Sequence, residues 1–280
     1  MTDTIMGSTE AASWGVVPYA ALEPHMTKGQ KEWARRLVPN PGSVIAATFP
    51  YFAGYGEGTM ALYARGEDYH TVVKDRLQRA ADRLAAHYRG QFLPLVDASP
   101  LPEKTAAALA GLGVIGQTTL LITPENGSFV FIGCILTDAA LDGRARPILH
   151  CSGCGRCAAA CPTGALSVKE GVPALDRTRC LSALTQKKGA LSLEETALLK
   201  KGRYAWGCDV CQSACPENQG IPLTKIGEFL PKAGYESFFS DLSALTEAQF
   251  AQKYGNKAFA WRGKAVIQRN MEILYLSDRS

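Results

Sequence analysis

Eight of the nine cysteines fall between positions 151 and 215, and their spacing constrains this chain more than any other feature. Cys151, Cys154, Cys157 and Cys161 follow one another at ferredoxin intervals, with Pro162 directly after the last. Three thiolates on one tight loop converge on a single 4Fe-4S cubane, while the fourth, set before proline, reaches a neighbouring cluster. The small residues Ser152, Gly153 and Gly155 let backbone amides approach the sulfurs. Cys208, Cys211 and Cys215, the last followed by Pro216, repeat part of the motif, with Cys180 as a distant first ligand. Because the pre-proline ligand crosses over, one cluster is expected on Cys151, Cys154, Cys157 and Cys215, and the other on Cys180, Cys208, Cys211 and Cys161. The alternative is structural zinc, whose sites pair two close cysteines with a remote second pair. Two adjacent clusters form a short electron path, which implies an acceptor that takes low-potential electrons one at a time. Cys134 stands apart in an apolar run and is expected to be a small buried hydrophobe.

A chain of 280 residues, 46% hydrophobic and 20% charged, has enough material for one large or two modest globular domains. Its net charge of +4 permits a nucleic-acid partner without announcing one. The longest nearly apolar run, residues 129–136, falls far short of the roughly 20 residues that cross a bilayer. The N-terminus lacks a basic region, and Arg35-Arg36 leads into Leu37-Val38-Pro39-Asn40-Pro41 instead of an apolar export stretch. A cytoplasmic location without a membrane partner is therefore expected, and a reducing cytoplasm argues against disulfides.

Residues 1–12 are polar and small and are expected to fray. Residues 42–49 read as a buried strand behind a Pro-Asn-Pro-Gly turn. From 68 to 89, Val73, Leu77, Ala80, Leu84 and Tyr88 recur at helical spacing, with Arg76, Arg79 and Arg83 between them. A strand over 92–96 ends at Asp97, a short helix covers 103–112, and 119–123 with 129–136 suggest a strand pair around Pro124-Glu125-Asn126-Gly127. The pattern predicts a mixed α/β (α+β) fold: a layered α/β domain over 13–146, then a ferredoxin-like double-cluster domain over 147–280 with a helical C-terminus. Ser192 with Glu195, and Thr246 with Gln249, have capping-box form and mark two helix starts.

Several segments together resemble the epoxyqueuosine reductase family, the cobalamin and iron-sulfur enzymes of the last step in making queuosine in tRNA. They are Tyr63-Ala64-Arg65-Gly66-Glu67-Asp68-Tyr69-His70, Val96-Asp97-Ala98-Ser99-Pro100-Leu101-Pro102-Glu103-Lys104, Ala110-Gly111-Leu112-Gly113-Val114-Ile115-Gly116, both cysteine motifs, and Gly207-Cys208-Asp209-Val210-Cys211-Gln212. The resemblance implies an oxidoreductase that holds cobalamin between its two domains and opens the epoxide of epoxyqueuosine. It makes Asp97 the catalytic acid, expected to be protonated near neutral pH because desolvation raises a carboxyl pKa. It places Tyr63, Gly116, Gln117, Thr118, Thr185, Gln186, Lys187, Cys208 and Asp209 beside the corrin.

The implied partners are the tRNA anticodon loop and an external low-potential electron donor such as ferredoxin or flavodoxin. Lys253, Lys257, Arg262, Lys264 and Arg269, with the Arg76, Arg79 and Arg83 face, are candidate phosphate contacts. Gln117 stands where the family commonly has lysine, Cys134 interrupts a segment that usually carries another residue, and Glu217 replaces a common tryptophan. No counterpart of the longer members' C-terminal helical-repeat extension is expected. Two other readings stay open at this point. One is another cytoplasmic corrinoid iron-sulfur reductase acting on a small organic substrate, and the other is a two-cluster electron carrier serving a corrinoid protein. A carrier has little use for the residues ahead of the clusters.

Overall fold

The computed structural model describes residues 1–56, 58–231 and 242–275; residues 232–241 and the last five of the expected second domain lie outside the described residues. Six strands precede the cysteine motifs: β1 (Ser13–Pro18), β2 (Ser43–Pro50), β3 (Phe92–Leu95), β4 (Val114–Ile115), β5 (Leu121–Ile122) and β6 (Val130–Thr137). Four of them form one antiparallel sheet in the order β1-β2-β6-β3. The continuous apolar run of β2 has a simple cause. Ile45, Ala47 and Phe49 enter the core on one face, and Val44 and Ala46 enter the core on the other. Both faces are covered, so the strand cannot alternate between apolar and polar residues.

The helix Tyr69–Ala85 covers one face with Val72, Val73, Leu77, Ala80, Ala81 and Leu84. It lies so close to β6 that a side chain on Gly133 would come within 2.6 Å of Leu77 Cδ1. The helix Glu103–Leu109 covers the opposite face, where Cys134 is fully buried as expected. Burial holds that thiol well above its usual pKa.

Two local expectations fail. Residues 1–12 do not fray: Thr2–Gly7 is a helical turn and a half, and Ile5 and Met6 are buried against the long helix. Two apolar side chains in a polar stretch suffice to dock it. The expected pairing of 119–123 with 129–136 also does not form. β5 pairs with β4 instead, and the turn closes only through a bridge between Thr123 and Gly127. β6 is drawn away because it inserts between β2 and β3, burying residues in both cores.

The cysteine half holds short helices at Arg156–Ala160, Leu181–Thr185 and Val210–Ser213. It also holds a hairpin, β7 (Leu166–Lys169) and β8 (Val172–Leu175), which turns on Glu170 and Gly171, both with positive φ. Both capping boxes are made, by Ser192 with Glu195 and by Thr246 with Gln249.

This half is sewn to the sheet. Met60 bridges Trp206, Thr224 donates to the Phe52 and Pro50 carbonyls, and Ile226 and Phe229 complete the core under the long helix.

Candidate cluster and active site

The first cysteine motif is shaped by two glycines in the left-handed region, Gly153 (φ 72°) and Gly155 (φ 76°), where other residues pay a steric cost. Cys151, Cys154 and Cys157 line one cleft, and the fourth cysteine in that cleft is Cys215, from the second motif. The other four thiols group together. Burial pushes Cys208 up to about 12, and the neighbouring Asp209, Cys180 and Cys161 add to the effect. Burial likewise pushes Cys211 to about 12, with Cys208, Cys180 and Cys161 raising it further. Thiols buried this close to one another repel as thiolates, and such a donor set suits a cationic iron-sulfur core.

Backbone amides reach the sulfurs as expected. Gln117 N–H donates to Cys151 Sγ (3.4 Å) and Ala165 N–H to Cys161 Sγ (3.3 Å). The Gln117 side chain accepts from Gly155 N–H (3.2 Å), so Gln117 and Thr118 border the first motif's cleft.

Asp97 sits just past β3 with φ 57°, a left-handed conformation that is costly outside glycine. Its Oδ2 accepts from Tyr69 OH (2.9 Å) and lies 3.1 Å from His70 Nε2. Tyr69 is clamped flat between the rings of His70 and Phe131. Asp68 caps the helix: its Oδ1 accepts from His70 N–H (3.0 Å) and lies 2.7 Å from His70 Nδ1.

The electrostatics overturn one expectation. Asp97 is not raised; the His70 hydrogen bond, with help from Tyr69, outweighs burial and holds the carboxyl below its usual value. Burial works against charge on His70, but hydrogen bonds to Asp68 and Asp97 outweigh it and raise the imidazole to about 9. The raised carboxyl in this corner is Glu103, pushed by burial to about 8 while it accepts from Ser99 Oγ.

A third corner gathers Tyr63, Thr185, Cys208 and Asp209. Thr185 Oγ1 accepts from Gly207 N–H (2.9 Å), and a side chain on Gly207 would strike Tyr63 Cε1. Asp209 is 2% exposed, with Oδ2 accepting from Leu62 N–H (2.7 Å) and Oδ1 without a partner among the described residues. Burial raises its carboxyl to about 6. Tyr63 joins this corner to Asp97, whose charge adds to the burial and Asp209 effects that raise the phenol, and its ring meets Tyr69 edge-on at 6.5 Å.

The remaining expected contacts lie elsewhere. Gly116, Gln117 and Thr118 form the turn beside the first cysteine motif. Gln186 folds back onto Ser182 O, and Lys187 pairs with Glu195 at the surface.

Several cations read as phosphate contacts are committed to the fold. Arg76 is 5% exposed and grips Glu10 and Glu228. Lys257 donates to Gly66 O (3.0 Å), Lys264 to Leu245 O, and Arg269 to Lys187 O (2.7 Å). Arg83 donates to Ser8 Oγ. Position on a polar helix face concealed these bonds. Sequence reasoning also missed Tyr69, His70 and Glu103 as neighbours of Asp97, although all three lie in the segments that carry the family resemblance.

Residues 33–98 match the family model "Epoxyqueuosine reductase QueG, DUF1730", and residues 150–218 match the "4Fe-4S double cluster binding domain". The chain is 31% identical over 276 residues to the epoxyqueuosine reductase of Synechocystis sp., covering 93% of this chain and 92% of that one. It is 33% identical over 247 residues to the Bacillus cereus enzyme, covering 84% of this chain but 63% of the relative, so it spans less than two thirds of that longer protein. A crystal structure of an epoxyqueuosine reductase with an epoxyqueuosine-modified tRNA-Tyr stem loop is 26% identical at a TM-score of 0.83, covering 97% of this chain and 79% of that one. With its cysteine sets, its Asp97 corner and its sheet accounted for, the chain belongs to the epoxyqueuosine reductase family.

Proposed function

We propose that the chain is itself an epoxyqueuosine reductase, reducing the epoxide of epoxyqueuosine in a tRNA anticodon loop. One observation carries most of the reading: Cys215 joins Cys151, Cys154 and Cys157 around one cleft, as two interlocked 4Fe-4S clusters require. Cys161, Cys180, Cys208 and Cys211 hold the second. Membership in a family with a tRNA-bound member supports the substrate. An external low-potential donor such as ferredoxin or flavodoxin feeds the clusters in the cytoplasm; among the described residues no helix is long and apolar enough to cross a membrane.

The residues present fit a corrin. Asp209 Oδ1 is a buried acceptor with no donor among the described residues, and a corrin's peripheral amides supply N–H donors. Tyr63, Thr185, Cys208 and Asp209 would hold cobalamin, which when bound supplies a low-valent cobalt nucleophile. Gly116, Gln117 and Thr118 border the first cluster, and Gln186 and Lys187 follow the Thr185 helix. Asp97, exposed on its 64% accessible side chain, delivers a proton to the departing epoxide oxygen.

The test is anaerobic incubation of cobalamin-loaded, cluster-reconstituted protein with epoxyqueuosine tRNA and a strong reductant, followed by nucleoside mass spectrometry. Queuosine is the expected product. Unchanged epoxyqueuosine in a sample that retains cobalamin contradicts the reading.

A further inference from the structure

The Asp97 corner poses a problem that its geometry also solves. A proton donor is needed there, yet Asp97 Oδ2 already takes hydrogen bonds from Tyr69 OH and from His70 Nε2, and this environment keeps it ionised. An ionised carboxylate has no proton to give.

We infer that His70 stores the proton that Asp97 delivers, and that Asp68 holds His70 in place for the transfer. This deepens the proposed reductase reading and rests on it. Asp68 Oδ1 contacts both the backbone N–H and Nδ1 of His70, so the helix cap fixes the imidazole at two points. With Nδ1–H directed to Asp68, Nε2–H points at Asp97 Oδ2 across 3.1 Å, the geometry of an oriented acid-base pair. Asp97 Oδ1 makes no hydrogen bond among the described residues and is left for substrate.

The reduction breaks both C–O bonds of the epoxide, their electron pairs leave with oxygen, and the two electrons from the low-potential donor of the proposed reaction form the C=C bond between the two carbons. The proton passes from His70 Nε2 to the Asp97 carboxyl and on to that oxygen. His70 ends neutral and Asp97 ends ionised, as it began. This is one of the two protons that convert the oxygen to water. Asp68, Tyr69 and Glu103 face this pair, with the Lys104 and Arg177 charges beyond. Only His70 has an ordinary pKa near neutrality, and its value of about 9 keeps the store filled at neutral pH.

The experiment compares pH profiles of kcat for the holoenzyme, Asp68→Asn and His70→Gln. Wild type is expected to lose activity above about pH 9. Asp68→Asn should move that alkaline limb toward the ordinary histidine value of about 6.5. His70→Gln keeps an N–H donor but no transferable proton, and should lower kcat by at least about 100-fold with KM retained. A merely structural role lowers kcat equally at every pH and leaves the limb in place, which overturns the relay.

If wild type makes no queuosine, the reductase reading fails. His70 is then read by NMR titration in the oxidised, diamagnetic holoprotein. Titration near 9 that falls in both Asp68→Asn and Asp97→Asn supports the proton store, and titration near 6.5 in wild type overturns it.

Discussion

Asn218→Ala tests how the cysteine half is fixed to the sheet. Asn218 is fully buried three residues after Cys215. Its Oδ1 accepts from Ser128 N–H (2.7 Å), and its Nδ2 donates to Gln212 O (2.7 Å) and Ser128 Oγ (2.9 Å). Truncation leaves the Ser128 amide buried without a partner, at about 1–3 kcal/mol, while the Gln212 carbonyl keeps its bond from Cys215 N–H (3.1 Å). Ser128 Oγ keeps its bond from Gln212 Nε2 (3.1 Å) and adds little to the loss. The loss is about 1–3 kcal/mol, a sizeable share of the roughly 5–15 kcal/mol that holds a domain folded. At about 2–4 °C per kcal/mol, the melting temperature measured anaerobically by circular dichroism should fall by roughly 2–12 °C. Iron retention should fall with it, because the same loop places Cys215. A shift under about 2 °C with full iron content would refute the reasoning.

Gly127→Ala should be at least as damaging as Asn218→Ala, because φ is 55° there and a Cβ would fall 2.0 Å from Asn218 Oδ1; wild-type melting would contradict this. Arg76→Met should cost about 1–3 kcal/mol by the loss of charge-assisted bonds, read by denaturant titration, without weakening tRNA affinity. A large loss of RNA binding at unchanged stability would restore Arg76 to the phosphate contacts. The Arg76 hydrogen bond holds Glu228 below its usual carboxylate value. That stabilisation is present above the unfolded pKa and disappears as pH falls through the lower folded value, so the acid limb of stability should be shallower in Arg76→Met. Asp97→Asn should keep the cluster and corrin spectra and lose at least about 100-fold in kcat; turnover within threefold of wild type would remove Asp97 from the reaction.

Sequence spacing anticipated the grouping of Cys215 with Cys151, Cys154 and Cys157, because a pre-proline cysteine crosses to the neighbouring motif in a defined way. It carried the long helix because its apolar residues keep a period over several turns, and β2 because a short continuous apolar run behind a turn marks a strand buried on both faces. The hairpin at 166–175 has mostly exposed or half-buried strands and left little pattern to find. The Asp97 corner was half legible. Val96-Asp97 and Tyr69-His70 were both noticed, but only the packing of the helix Tyr69–Ala85 against β3 and β6 brings residues 27 positions apart to 3.1 Å. The protonation of Asp97 was misread because desolvation was considered without the imidazole that opposes it. Arg76 illustrates the same limit, since its partner Glu228 lies 152 residues away.

Metal analysis and electron paramagnetic resonance of anaerobically purified protein test the central claim most directly. Wild type should carry about eight irons in two 4Fe-4S clusters. Cys215→Ser should lose the cluster of the first motif and keep about four irons on Cys161, Cys180, Cys208 and Cys211. Protein that is colourless and zinc-loaded, or a Cys215→Ser variant that loses the second motif's cluster and retains the first, would contradict it.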